Sequence, residues 1–534
     1  MLLTKNHTNW LLSVLIIALF IFTHSSSFAQ STAQTEHTNL VLSGKPLNLA
    51  EAVEITLKNS ATIQQQQLGV KLAKAQLQTV RGSFDIISSI AVTTSQNRPV
   101  TGTDYDMQEL AGSLSKAFRS GISSSLSLSL NRTDPLVSDS SNTSNLGITV
   151  DIPLLKGRGS QGSALAVAET NARLNHDATL LDYYHQISQV ISSTIQAYWD
   201  YRAAIANLKN QTALKKWVVS LLEEADKGTT VNIEQKFTSQ IRRLNGYLAE
   251  KQRNIVAAEE RVNTTKSALA EAMGIPYNQL INLEASEDFS RDWSQILRRL
   301  QEQPMKEQWV QQALQNRFDI QAQQLRLKAS ANNLAKARQD LLPQLNLGLN
   351  YSNLGEESGD QLSNYFGSIT NDPRGRTTSA TLTLTYPLGN NTAKGKLDAA
   401  NVNYKSAVIT TDNQSRTVSL QVDTDEGKLM SRLQEVAKNK QVLEAYEESL
   451  ENYYKSITPL AKNPSALFNL IELEKDFSEA TNEHLESLLG LAKAIAQLRF
   501  QTGTLLVQVG ESNDNWELAD MDTLPGLEDM ATVR

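Results

Sequence analysis

The sequence predicts a mostly α-helical chain with membrane β-strands: two long coiled-coil hairpins, each joined to strands that belong to a shared transmembrane barrel. Three observations carry this reading. The chain repeats itself, because Leu57-Lys58-Asn59 with Ile63-Gln64, Gln66-Gln67-Leu68, Lys71, Leu77 and Arg81 returns 257 residues later. There it reads Leu314-Gln315-Asn316 with Ile320-Gln321, Gln323-Gln324-Leu325, Lys328, Leu334 and Arg338. Each helical copy then gives way to alternating strand, Ile90-Ala91-Val92-Thr93 in one and Leu345-Asn346-Leu347-Gly348-Leu349 in the other. Behind each strand set runs an apolar three-four pattern of unusual length.

In chain order, residues 1–29 read as a cleavable export signal: Lys5, an apolar run from Leu11 to Phe22, and the small-residue site Ser27-Phe28-Ala29. The run is short of the roughly 20 residues a membrane span needs. Residues 30–46 are polar and expected to be flexible. The first repeat, 47–276, opens with a helix from Leu47 to about Gly82, capped by Asn48 with Glu51 three residues on. Strands follow over about 86–152; Leu126, Leu128 and Leu130 alternate with serines, and Leu146, Ile148, Val150 and Ile152 with Gly147, Thr149 and Asp151. An apolar face opposite a small polar face suits a barrel strand between lipid and water, although a soluble sandwich strand alternates in the same way. A helical hairpin then spans about 160–273, turning at Lys227-Gly228-Thr229-Thr230 and stopping at Gly274.

Residues 277–306 link the repeats through short helices. The second repeat, 307–503, places strands over about 344–386 and a hairpin over about 393–502, turning between Pro459 and Pro464. Each long helix would reach roughly 100 Å. The segments 131–144 and 353–377 are rich in turn residues and read as exposed loops. The acidic tail, 504–534, has no apolar period after Gly510 and is expected to be disordered.

A sheet in lipid must close, since every backbone group there needs a partner. Small barrels need about eight strands, and four to six are legible here. Several chains must therefore pool their strands, and the helical seams likewise need partners. Strand counting implies an oligomer without fixing its order.

Composition narrows the function further. The net charge is -7 and no Lys/Arg-rich run occurs, which argues against a nucleic-acid partner. Lys5 is the only charged residue of 1–29, so losing that segment leaves 49 basic against 57 acidic side chains. With no cysteine, disulfides, thiol catalysis and cysteine metal sites are excluded. Gly157-Arg158-Gly159-Ser160-Gln161-Gly162 matches the dinucleotide fingerprint, but no second strand ending in an acidic residue follows, so the glycines read as a bend. His176 and His185 are nine apart, the wrong spacing for two ligands on one helix face. Tyr183-Tyr184 and Tyr198-Trp199 fit packing better than a redox stripe. No catalytic, cofactor or metal constellation emerges, and the chain reads as no enzyme.

The order of these features resembles the TolC-type outer-membrane efflux protein family, the outer membrane factors. Specific echoes are Leu49-Ala50-Glu51-Ala52 opening the first helix, the bend Pro153-Leu154-Leu155-Lys156-Gly157-Arg158-Gly159, and its counterpart Pro387-Leu388-Gly389. The resemblance implies a homotrimer in outer-membrane lipid, with a 12-stranded barrel continued by a periplasmic tunnel of 12 helices. Its core strands would lie near 86–95, 144–152, 344–352 and 378–386, leaving 109–118 and 121–131 as an extra hairpin. It also implies a constriction at the periplasmic tip, where Asn469-Leu470-Ile471-Glu472 stands in the position of an acidic ring; Glu472 keeps the charge and Asn469 does not. An ordinary solvated charge is the competing reading of Glu472. Adaptor docking would fall on the tips, at Lys227, Gly228, Thr229, Pro459, Lys462, Asn463 and Pro464.

The expected function is a passive exit duct of an envelope-spanning efflux or type I secretion system, served by a periplasmic adaptor and an inner-membrane transporter. A periplasmic coiled-coil adaptor or structural envelope protein is the alternative. It explains the hairpins but not alternating strands in duplicated positions.

Overall fold

The computed structural model describes residues 47–135, 139–228, 234–276, 293–359, 361–369, 373–456, 464–508, 516–521 and 523–527. The expected export signal (1–29), residues 30–46 and the expected tip positions Thr229, Pro459, Lys462 and Asn463 lie outside them.

Helix α1 (Leu49–Asn59) starts on a capping box, in which Asn48 Oδ1 accepts the Glu51 N–H at 2.7 Å and Glu51 accepts the Asn48 N–H at 3.2 Å. The single helix expected to run to Gly82 is instead broken at Ser60 (φ -61, ψ 118), and α2 (Ala61–Arg81) begins anew. The reason is packing. α1 buries Leu49, Ala52, Val53 and Ile55, whereas α2 buries only Ile63 and Leu77, so the two helices follow different courses. Arg317 (φ -65, ψ 124) makes the same break between α7 (Lys306–Asn316) and α8 (Phe318–Gln339).

Six strands follow one another in a single antiparallel meander: β1 (Ile87–Asn97), β2 (Tyr105–Ala117), β3 (Ser123–Pro135), β4 (Ser141–Pro153), β5 (Gln344–Ser358) and β6 (Pro373–Thr385). The β4–β5 ladder, with Val150 opposite Leu349, joins the two repeats. The strands also run well into the segments expected to be loops, and a short helix α9 (Leu362–Gly367) sits between β5 and β6. Turn-rich composition does not stop a strand whose partner offers a ladder.

Helices carry the rest. After α3 (Gly159–Gly162), α4 (Ala164–Gly228) runs 65 residues and returns as α5 (Glu234–Met273). α10 (Asn391–Ser456) runs 66 residues and returns as α11 (Pro464–Thr502). α4 packs against α2, α5, α8 and α11, and α10 against α7, α8 and α11. Tyr184, Ile187, Ile191, Ile195, Tyr198 and Trp199 are buried on α4, with the Tyr198 hydroxyl donating to Leu47 O at 3.1 Å. On α10 the buried set Val418, Val422, Asp425, Leu429, Leu433 and Val436 steps by three and four. Among the described residues no helix is long and apolar enough to cross a membrane.

Part of the C-terminal tail is folded, against the expectation of disorder. β7 (Leu506–Gln508) pairs with β8 (Trp516–Leu518), and Leu524 and Leu527 are buried. Trp309 Nε1 of α7 donates to Pro525 O at 2.9 Å, and Arg499 donates to Thr523 O at 3.0 Å. Apolar residues buried singly against neighbouring helices show no period, which is why the sequence pattern missed them. Within the expected linker, α6 spans Ser294–Glu302.

Candidate functional site

Two regions carry the functional argument: the faces of the sheet and the far ends of the hairpins. In the sheet the register assigns each side chain to a face, since neighbours along a strand point opposite ways. One face carries Ile90 and Val92 (β1), Leu110 and Leu114 (β2), Leu126 and Leu128 (β3), Leu146 and Ile148 (β4), Leu347 and Leu349 (β5), and Leu382 and Leu384 (β6). The other carries Ser89, Ser113, Ser127, Gly147, Ser352 and Thr377 along one rung. Large side chains of the first face stand in the open, including Ile90, Ile148, Leu349, Leu382 and Leu384. An apolar band of this extent left uncovered calls for a lipid or protein partner.

At the inner end of the sheet the chain bends into the helices. Pro153 ends β4, and Gly157 (φ 86) and Gly159 (φ 73) hold backbone angles that other residues rarely adopt. At the second bend, after Pro387, the left-handed residue is Asn390 (φ 44) and not Gly389. Asparagine tolerates that conformation, a signal the sequence reading passed over. The Asn390 amide also donates to Leu341 O at 3.2 Å, tying the bend to the end of α8.

Near the far end of the hairpins Val218, Leu221, Leu244 and Leu470 form a buried cluster that joins α4, α5 and α11. Its packing orients the Asn469–Glu472 stretch. Leu470 is fully buried, which turns Asn469 and Glu472, three residues apart, outward on one exposed face. Glu472 lines a groove with Arg243, Tyr247, Phe468 and Lys475, in which the Arg243 guanidinium lies 4.1 Å from the Phe468 ring centre. Glu474, unnoticed in the sequence, is half-buried nearby, and burial raises its pKa. Burial also raises that of the Tyr247 hydroxyl. Lys227 and Gly228 close α4, and Pro464 opens α11.

Residues 309–497 match the family model described as Outer membrane efflux protein. That stretch, within the second repeat, is similar to the outer membrane efflux proteins. No curated protein matches the chain. Among solved structures, the chain is similar to the outer membrane channel CmeC of Campylobacter jejuni (14% identity, TM-score 0.57, covering 85% of each chain). It is likewise similar to the open-state outer membrane channel MtrE of Neisseria gonorrhoeae (15% identity, TM-score 0.54, 85% of this chain and 88% of that one). The outer membrane protein VceC of Vibrio cholerae gives 14% identity and a TM-score of 0.53 over 84% of this chain and 95% of that one. At these identities the likeness is one of fold.

Proposed function

We propose that the protein is an outer-membrane exit duct of an envelope-spanning efflux or type I secretion system, assembled as a homotrimer. The observation that carries this is the division of one chain into an apolar-banded sheet and two helical hairpins of about 100 Å. The sheet suits lipid on one face and water on the other. The hairpins suit a tunnel wall, and exposed Val402, Ile409 and Leu420 on α10 with Leu68 and Leu72 on α2 offer seams for neighbouring copies.

Conduction is passive in this reading. Cargo passes from the periplasm through the helical tunnel and leaves through the barrel, with energy supplied by an inner-membrane transporter engaged through a periplasmic adaptor at the helical tips. The tips open when the hairpins move apart. Glu472, repeated around the axis, attracts cations and repels anions at the narrow point.

Single-channel recording in a planar bilayer tests the reading. Discrete cation-selective openings are expected, and Glu472→Gln should lower the cation preference. Openings unchanged by the substitution would keep the duct and remove Glu472 from the constriction. A folded protein released from cells without detergent would overturn the duct in favour of a soluble envelope protein.

A further inference from the structure

We propose that all six strands of each copy stand in the pore wall, so that three copies close an eighteen-stranded barrel by pairing β6 of one copy with β1 of the next. The proposal rests on the trimeric duct above and departs from the twelve strands that the family resemblance implies.

The first support is chemical register. The β2–β3 hairpin carries both faces of the sheet through without a shift: Ser88, Leu114, Leu126, Ile148, Tyr351 and Thr378 share one rung. The neighbouring rung on the opposite face is Ser89, Ser113, Ser127, Gly147, Ser352 and Thr377. A hairpin projecting into water would gain nothing from leucines at the level of the lipid band. Removing it from the wall would also break two ladders, Ile87–Asn97 with β2 and Ser123–Thr133 with β4, to make one between β1 and β4.

A second support is the turn at 118–122. It is fastened into the bend between sheet and helices, the Arg119 guanidinium donating to both Glu169 oxygens at 2.6 and 2.7 Å. The Gly159 N–H donates to Ser120 O at 2.8 Å, and Gly121 (φ 88) abuts the Gly157 carbonyl so closely that no side chain fits. The extra hairpin is thus anchored where the barrel meets the helices.

The third support is the pair of free edges. Strand edges that must stay unpaired carry charges or proline. β1 over 87–97 has no Lys, Arg, Asp, Glu or Pro, and β6 has none over 377–385; its Pro373, Arg374 and Arg376 stand at the end away from the helices. In a six-strand meander the first and last strands run antiparallel, so joining β6 to β1 of a neighbour continues the same ladder. The contact is head-to-tail, and it removes both edges only when the ring closes. A barrel of eighteen strands is about 1.5 times as wide as one of twelve, since diameter grows roughly linearly with strand number.

The chain has no cysteine, so disulfide mapping in outer membranes reads neighbours without background. Ser89→Cys with Ser113→Cys, whose hydroxyls lie 2.7 Å apart, should bridge within a copy. Ala91→Cys with Ser379→Cys, Thr381→Cys or Thr383→Cys should convert most of the monomer band to linked copies, and the mass of the detergent-solubilised assembly should be three copies. Bridging of Ala91→Cys to Asn145→Cys or Thr149→Cys would put β1 beside β4 and overturn the proposal while sparing the duct. An assembly of two copies would also overturn it. A detergent-free soluble single copy would instead remove the duct itself and the barrel with it.

Discussion

Ser60 and Arg317 occupy the same step of the two repeats, and their backbones are nearly superposable, at φ -61, ψ 118 and φ -65, ψ 124. One side-chain bond and one close approach match as well. Gln64 reaches back to Lys58 O at 3.3 Å, and Gln321 reaches Gln315 O at 2.8 Å. Gly274 presses on Asn59 where Gly503 presses on Asn316. The buried side chains part company. In the first repeat the buried contact is neutral, Thr56 donating to Thr194 at 3.2 Å, and the Lys58–Glu54 pair nearby is exposed. In the second, Arg317 is buried and makes a bidentate pair with Asp319 at 3.0 and 2.9 Å, while also bonding Gln501. Gln414 adds a bond to Asp319 at 3.1 Å. Duplication kept the backbone step, and the second copy alone tied α8, α10 and α11 together with charge.

The largest effect expected from this difference follows removal of Arg317. Arg317→Ala leaves the mostly buried Asp319 carboxylate without its cation, which costs about 3–5 kcal/mol by analogy with other broken buried pairs. Ser60→Ala removes a hydroxyl that makes no cap hydrogen bond and should cost under about 0.5 kcal/mol. Thermal loss of helical circular dichroism in the purified protein measures both. Equal costs would mean that the ion pair adds nothing beyond the shared backbone. The double variant Arg317→Met with Asp319→Leu should recover most of the loss, because the penalty lies in the unpaired charge.

The next effect tests the symmetric part. Gly274 (φ 68) and Gly503 (φ 69) end the two return helices in the left-handed region. An added Cβ would come within 2.7 Å of Asn59 O at the first site and 3.0 Å of the Asn316 carbonyl carbon at the second. Alanine should therefore destabilise both by about 1–3 kcal/mol, with the closer contact at Gly274 giving the larger loss. A harmless alanine at either site would show that the two junctions are alike only in outline.

These junctions also show what could be read beforehand. The strands were legible because one apolar and one small polar face impose a period of two on Leu126-Ser127-Leu128-Ser129-Leu130 and its neighbours. The hairpins were legible because coiled-coil burial imposes steps of three and four. The break at Ser60 was not, for neither proline nor glycine marks it and the extended angle is set by how α1 and α2 pack separately. Arg317 looked like any surface cation, since two of its partners, Gln421 on α10 and Gln501 on α11, lie far along the chain. At the candidate constriction Glu472 came from resemblance alone, whereas its outward orientation comes from burial of Leu470 two residues earlier.

The smallest expected effect is a pH dependence that the charged junction has and the neutral one lacks. His185 of α4 packs 5.5 Å from the Phe500 ring and 3.7 Å from Asp319. Burial lowers its pKa first; Asp319 and Asp182 pull the other way, Arg317 opposes them, and the net direction is down. The unfolded chain therefore takes up a proton near pH 6.5 that the folded one resists, so this stability is complete above about pH 6.5 and is lost as pH falls below it. Asp319 is also depressed. Burial would raise it, but the Arg317 hydrogen bonds and charge, with His185 and Gln414, outweigh that, so its contribution is lost only below the ordinary carboxylate range of about 3.9. Between pH 7 and 5 histidine alone acts in this cluster. His484, lowered by burial and by Lys440, adds a second share elsewhere on α11. The fall in melting temperature from pH 7 to 5 should shrink in His185→Gln and shrink further when His484→Gln is added. Thr194→Val, at the matching neutral junction, should leave that slope untouched; an unchanged slope in His185→Gln would move the acid sensitivity away from the Arg317 cluster.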